Sequence, residues 1–256
     1  MKIIINESQL RLIVENEGGG KLFTLPAEFL DKEKGFEKAY NLYIKNKGNK
    51  NYNGIKLIGE FNLDYFNYFS DEDSEIVNQF FDEVVEIDGD FYSGDYGDLS
   101  KLSKLRYVSG SLEIPSTNVM ELPNLIKVGG NLSLAGTFIK TLPLLEKVDG
   151  EFFLTNSSII SIPNLVSVGR GMYGDRSQIK YLPKLESVGA DNDHDLYKDD
   201  LTLWRTNITE LPNLKYVNGN LSLGGSPLGK ELDASGMTNA EINDKFGVQG
   251  KLYIWK

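Results

Sequence analysis

A single histidine, His194, lies in DNDHDLYKDD, the densest acidic run of the chain. Asp191, Asp193 and Asp195 alternate there as ligands of a hard cation do. The run departs from a calcium-binding loop, because Leu196 stands where the turn glycine belongs and Thr202 where the bidentate carboxylate belongs. It reads as a solvated acidic loop. A site built on several histidines is excluded, and neither GGG nor GSLE has the spacing of a phosphate-cradling glycine loop. Carboxylates beside aromatic rings form a second constellation. Glu60, Asp90, Glu151 and Asp200 share one position of a recurring phrase, and Tyr92, Phe153, Tyr173 and Tyr253 fall two places later. Trp204 lies two places beyond Thr202. Paired carboxylates can perform acid–base work on a sugar, but nothing in the sequence sets one pair apart, so no catalytic residue is assigned. Rings held outward on a rigid frame anchor interfaces and also stack on sugars. The expected partner-binding set is therefore Tyr92, Phe153, Tyr173, Trp204 and Tyr253 as apolar anchors. Glu151, Asp191, Asp193 and Asp200 would complement a basic partner.

The elements that must position these residues are legible in a repeat. The phrase LPNLIKVGGNLSL at 122–134 returns as LPNLKYVNGNLSL at 211–223. Between them the pattern L-P-x-L-x-x-V-x-G-x-L-x-L-x-x-T-x-I recurs at a fixed period, with its valine at Val108, Val128, Val148, Val168 and Val188. Gly110, Gly130 and Gly150 hold the glycine slot, and Arg170 and Ala190 are expected in the next two. The interval from Val188 to Val217 is one period plus nine, which places a nine-residue insertion at 190–198. Weaker copies around Gly59, Gly89 and Gly250 bring the count to about nine units, with helices expected over 70–84 and 238–246.

The G-x-L-x-L centre alternates as a strand with one buried face does, and the glycine and L-P phrases punctuate it as turns. Burying the six apolar side chains of one unit stabilises less than ordering its backbone costs, so a unit cannot stand alone. Stacked units share strand hydrogen bonds and a continuous core. One parallel sheet and a rod of roughly 40 Å are expected.

The phrase LPNLxxVGGNLSLxxTxI resembles the leucine-rich-repeat family, specifically its receptor L-domain-like branch, over about residues 55–254. The resemblance implies a mainly β, right-handed β-helix-like solenoid with a parallel sheet and a helical N-terminal cap, serving as a protein-recognition scaffold. The chain has no cysteine, unlike the extracellular members of that family. The expected organisation is a helical tag and glycine hinge at 1–20, a helical cap at 21–54, the solenoid at 55–235 and a capping repeat at 236–256. In the cap, Phe36, Tyr40 and Tyr43 share one helix face.

The opening MKIIINESQLRLIVENE is spaced for a short helix, with Asn6 and Gln9 as a capping box. It also resembles the N-terminal leaders of proteins of large tailed bacteriophages, and Ile13, Val14 and Glu15 resemble the sites cut by phage head-maturation proteases. That resemblance implies a phage-encoded protein placed in the host cytoplasm or the virion.

Composition narrows the partners. Lys and Arg total 27 against 37 Asp and Glu, a net charge of −10, which disfavours a phosphate backbone as ligand. The absence of cysteine excludes disulfides and thiolate chemistry. No apolar run reaches the roughly 20 residues of a membrane span, and the start lacks a secretory cleavage signal. The sequence thus points to a non-enzymatic binding protein with no cofactor, no metal, and neither nucleic acid nor membrane as partner. Its target would be a host or virion protein. A structural or packaged virion component and a carbohydrate-binding or carbohydrate-active protein are the alternatives.

Overall fold

The computed structural model describes residues 21–27, 30, 35–50, 52–63, 71–93, 99–189 and 199–254. The leader, with Ile13, Val14 and Glu15, and the loop with Asp191 and Asp193 lie outside them.

One central coil explains the rest. Leu122, Leu125, Val128, Leu132, Leu134 and Ile139 are fully buried, which matches the six inward positions read from the repeat. Two strands form per coil rather than one: Lys127–Val128 ahead of the glycine corner and Leu132–Ser133 after it. Each pairs in parallel with its counterpart one period on, Val128 with Val148 and Leu132 with Phe152. The described residues therefore hold two nine-stranded parallel sheets where one was expected. A strand of two residues is too short to show alternation, so the x-V pair gave no strand signal of its own. The chain is a mixed α/β fold dominated by parallel sheet, with a solenoid-like stack of coils.

The recurring polar residues tie coil to coil. Glycine stands at the corner because the backbones nearly touch: a Cβ on Gly150 would lie 2.6 Å from the carbonyl carbon of Gly130. The asparagine of L-P-N-L donates to a carbonyl one coil earlier, Asn164 to Pro143 at 2.6 Å and Asn213 to Pro183 at 2.6 Å. Thr117, Thr137, Ser177, Thr206 and Ser226 are buried, and each hydroxyl donates to the carbonyl three residues before it at 2.6–3.0 Å. A buried hydroxyl is tolerated there because its hydrogen bond is made locally.

The insertion leaves this register intact. Val188 pairs with Val217 and Met172 with Leu201, so both sheets cross it without a slip. The glycine slot of that coil is filled by Asp199, not by Ala190 as expected: the register Met172↔Leu201 sets Asp199 beside Arg170, and Gly219 donates to the Asp199 carbonyl. The insertion thus precedes the slot. Both non-glycine occupants are charged, and Arg170 Nε lies 3.7 Å from Asp199 Oδ1.

The ends are thicker. Lys21–Pro26 is a strand of the first sheet, paired in parallel with Tyr52–Ile58, where the sequence reading expects helix. Its partner lies beyond a whole intervening helix, out of reach of local pattern. That helix, α1, Gly35–Lys50, connects the two strands and buries Phe36 and Tyr43. Helix α2, Asp71–Asp82, supplies Phe80 and Phe81. These rings pack with Phe36, Phe61 and Phe91 at centroid distances of 5.3–5.8 Å. Glu83 clamps the layer to the coils, accepting from Tyr43 Oη at 2.7 Å, Lys47 Nζ at 2.9 Å and Lys104 Nζ at 2.9 Å. At the other end, helix α3, Pro227–Ala234, starts at the N-cap Ser226 and was not anticipated by the repeat pattern. Helix α4, Asn239–Phe246, falls within the expected 238–246. It opens with a capping box between Thr238 and Glu241 and ends at Gly247 in the left-handed conformation.

Candidate interaction surface on the second sheet

Outward side chains of the second sheet fall into three lanes. Along the middle lane the strand register lines up Asn62, Tyr92, Glu113, Ser133, Phe153, Tyr173, Thr202, Ser222 and Tyr253. Four of the five aromatic residues singled out in the sequence therefore share one lane. Phe153 and Tyr173, on adjacent coils, stack with centroids 5.3 Å apart and planes 14° apart. Tyr92, Phe153 and Tyr173 are half-buried, whereas Tyr253 is 44% exposed. Tyr92 and Tyr253 stand apart from the stack along this lane.

The corner lane carries the acids, and part of it is structural. Asp90 Oδ1 accepts from the Ser111 N–H at 2.6 Å, Ser111 Oγ from the Asn131 N–H at 3.1 Å, and Asn131 Oδ1 from the Glu151 N–H at 2.9 Å. Beyond a gap the ladder resumes, with Asp200 Oδ1 accepting from the Asn220 N–H at 2.7 Å and Asn220 Oδ1 from the Lys251 N–H at 2.8 Å. Each side chain satisfies the backbone of the following coil. Asp200, expected as a partner-binding charge, is committed to Asn220, whose Nδ2 it also accepts from at 3.1 Å. The Glu151 carboxylate makes no hydrogen bond to a described residue, and neither does that of Glu60 at the far end of the lane, so Glu151 is the free acid beside the stacked rings.

Gly171 makes the gap. A Cβ there would lie 2.4 Å from Tyr173 Oη and 2.5 Å from its Cζ, so the tyrosine ring occupies the place a ladder side chain would take. Its hydroxyl thereby comes to rest between the Glu151 and Asp200 coils. Burial pushes the Tyr173 hydroxyl above its ordinary range, and the charges of Glu151, Asp200 and Asp199 push it the same way. Tyr92 is raised similarly, by burial and then by Asp90, Glu113 and Glu60. Burial, followed by Asp90, also raises the Glu113 carboxyl. At Tyr92, Glu113 and Tyr173 the middle lane is therefore set among acidic side chains, with Arg170 partly offsetting them at Tyr173.

Trp204 lies in the third lane, in the turn two residues beyond Tyr173's partner Thr202, where the strand ends. Its backbone N–H donates to Asp175 Oδ1 at 2.9 Å. Two guanidinium groups flank its half-buried ring, Arg205 with Cζ 4.0 Å from the centroid and Arg176 at 5.2 Å. The sequence reading missed Glu113, Arg176 and Arg205. Glu113 was readable from its place in the repeat. Each arginine stands where other coils carry Gly136 or Gly225, so laying the units side by side reveals both.

The first sheet has its own open groove of about 400 Å³, lined by residues including Lys56, Glu86, Asp88, Tyr107, Lys127 and Asp149. Its charges are mutually satisfied: Asp149 meets Lys127 at 2.8 Å and Lys147 at 2.7 Å, and Lys56 meets Glu86 at 3.5 Å. Among the described residues no group of three or more His, Cys, Asp or Glu side chains is arranged to hold a metal ion. No described helix is long and apolar enough to cross a membrane. Comparison with protein-family models, curated proteins and solved structures gives no match.

Proposed function

We propose that this chain is a non-catalytic binding protein, a solenoid of the leucine-rich-repeat type, encoded by a phage and recognising a protein through the outer face of its second sheet. The observation that carries the reading is the stacked Phe153–Tyr173 pair in a negative potential, beside the unengaged Glu151 carboxylate. Flat rings already ordered by stacking lose little freedom on binding, which is why half-exposed aromatics dominate interface energies. The acids around them favour a partner that presents Lys or Arg side chains. A basic side chain laid over Tyr173 would place its charge beside Glu151 and its stem against the rings.

The test is affinity capture on the tagged full chain from bacterial lysate and from disrupted phage particles, run in parallel with Tyr173→Ala and Tyr107→Ala. A basic protein retained by the unaltered chain and by Tyr107→Ala, but lost with Tyr173→Ala, supports the reading. Equal retention by all three sinks it.

A further inference from the structure

The loop that follows each second-sheet strand contains a residue in the left-handed conformation at the same place in six coils: Ser116, Gly136, Asn156, Arg176, Arg205 and Gly225. Glycine and asparagine adopt it at least cost, and a long side chain adopts it at a real one. Arginine occupies the site only in Trp204's own coil and in the coil before it, with φ of 54° at Arg205 and 57° at Arg176. Strained backbone held at one spot points to a side chain that is needed there. Gly225 on the next coil leaves room for it, since a Cβ on Gly225 would lie 3.0 Å from Arg205 Cγ.

The charge is as informative as the strain. Acids outnumber basic residues 37 to 27 in this chain, yet neither Arg176 nor Arg205 forms an ion pair with a described residue. Both are exposed, and both heads rest against the Trp204 ring. A guanidinium stacked on an indole is oriented in advance while its N–H donors stay available for an oxyanion.

We infer that Arg176, Trp204 and Arg205 form a site for an oxyanion, a carboxylate or a phosphate, borne by the same protein partner that the aromatic lane engages. This inference rests on the reading of that face given above. The second sheet is then a polar frame: acids on the corner lane, aromatic rings in the middle, arginines on the far margin. The corner lane and Trp204 are separated by four residues, of which Leu201–Thr202 form the strand and Trp204 enters the turn, so the separation is at most about 13–14 Å. An extended segment with a basic residue at one end, an acidic one four positions away and an apolar one between them matches that frame. A uniformly basic segment does not.

The probe is a capped pentapeptide, Lys-Ser-Phe-Ser-Asp, titrated into the full chain carrying Trp255→Phe, which leaves Trp204 as the sole tryptophan. Versions ending in Asn or in phosphoserine are titrated alongside. The Asp peptide should bind at least tenfold more tightly than the Asn peptide, with a dissociation constant below about 10 mM. That preference should drop to under twofold in Arg176→Gly and Arg205→Gly, with no fall in melting temperature, since glycine relieves the left-handed strain. The phosphoserine arm identifies which oxyanion the site prefers. Should the glycine variants unfold, Arg205→Lys decides instead, retaining the charge but not the fork, and the preference should fall at least threefold. No saturable binding of the Asp peptide, or a preference that survives loss of the arginines, overturns the inference. If Tyr173→Ala and Glu151→Gln leave the Asp peptide's affinity unchanged, the aromatic lane is not engaged: the earlier reading and the shared partner fall, and the oxyanion site alone stands.

Discussion

The outer faces of the two sheets are built on the same repeat and dispose of their charge in opposite ways. On the first sheet, lysines and carboxylates neutralise one another across the coils, and Asp149 bridges two lysines. On the second, Asp90 and Asp200 of the corner lane serve backbone N–H groups of the next coil, Glu60 and Glu151 are left over, and the arginines stand on the far margin against a tryptophan. A face whose charges are internally paired has little to offer a partner, because docking would first have to break those pairs. A face with unpaired charge beside ordered rings gains on docking. The contrast teaches that function here is read from what the coil-to-coil bonding leaves over.

Four measurements test the contrast, from strong effects to weak. Tyr173→Ala should weaken partner binding at least tenfold, about 1.5–2 kcal/mol, and cost about 1 kcal/mol of stability through loss of the stack. Tyr107→Ala, on the first face, should change affinity less than twofold; calorimetry with the captured partner checks both. Next, Gly171→Ala places a Cβ where the Tyr173 ring now lies. The ring must swing out, so the stack with Phe153 should be lost and affinity should fall severalfold while the chain stays folded. Ring-to-ring contacts in NMR spectra report this directly.

The third test uses acid. Burial works to raise the Asp149 carboxyl, but the hydrogen bonds and charges of Lys127 and Lys147 together outweigh it and hold the group below its ordinary value of 3.8. Its contribution is therefore complete above about pH 4 and fades as pH falls through the lower folded value. The lysines are half exposed, so roughly 0.5–1 kcal/mol should be lost in urea melts between pH 5 and pH 2.5, and Asp149→Asn should abolish that loss. Glu113 on the second face behaves oppositely. Its folded carboxyl titrates above the ordinary 4.5 because of burial and then Asp90, so acidification toward that value relieves an unfavourable charge. Glu113→Gln should accordingly raise stability at pH 7 by a few tenths of a kcal/mol, with the gain vanishing below about pH 4.

Much of the architecture was legible because the period is strict. The valines from Val108 to Val188 fix the stacking interval, and the six apolar slots fix which side chains face inward. What escaped was non-local or too brief. The x-V strand ahead of the glycine corner is two residues long in the central coils, and the edge strand Lys21–Pro26 is defined by its pairing with Tyr52–Ile58. On the candidate surface, lane membership of Tyr92, Phe153, Tyr173 and Tyr253 followed from counting alone. The division of the acids into engaged and free did not, since Asp200 and Glu151 look alike until Asn220 is seen against one of them. Arg176 and Arg205 were overlooked because a left-handed turn leaves its mark in the residue types of neighbouring coils, Gly136 and Gly225, rather than in the arginines themselves.

The nine residues added between Gly189 and Asp199 disturb neither ladder. That corner is consequently a seam at which the chain can be lengthened without re-cutting the coils on either side. Exchange of the segment for a foreign one of similar length should leave the pairing of Val188 with Val217 and of Met172 with Leu201 in place. The protein thus doubles as a mount on which a chosen peptide can be presented from a corner between two paired coils.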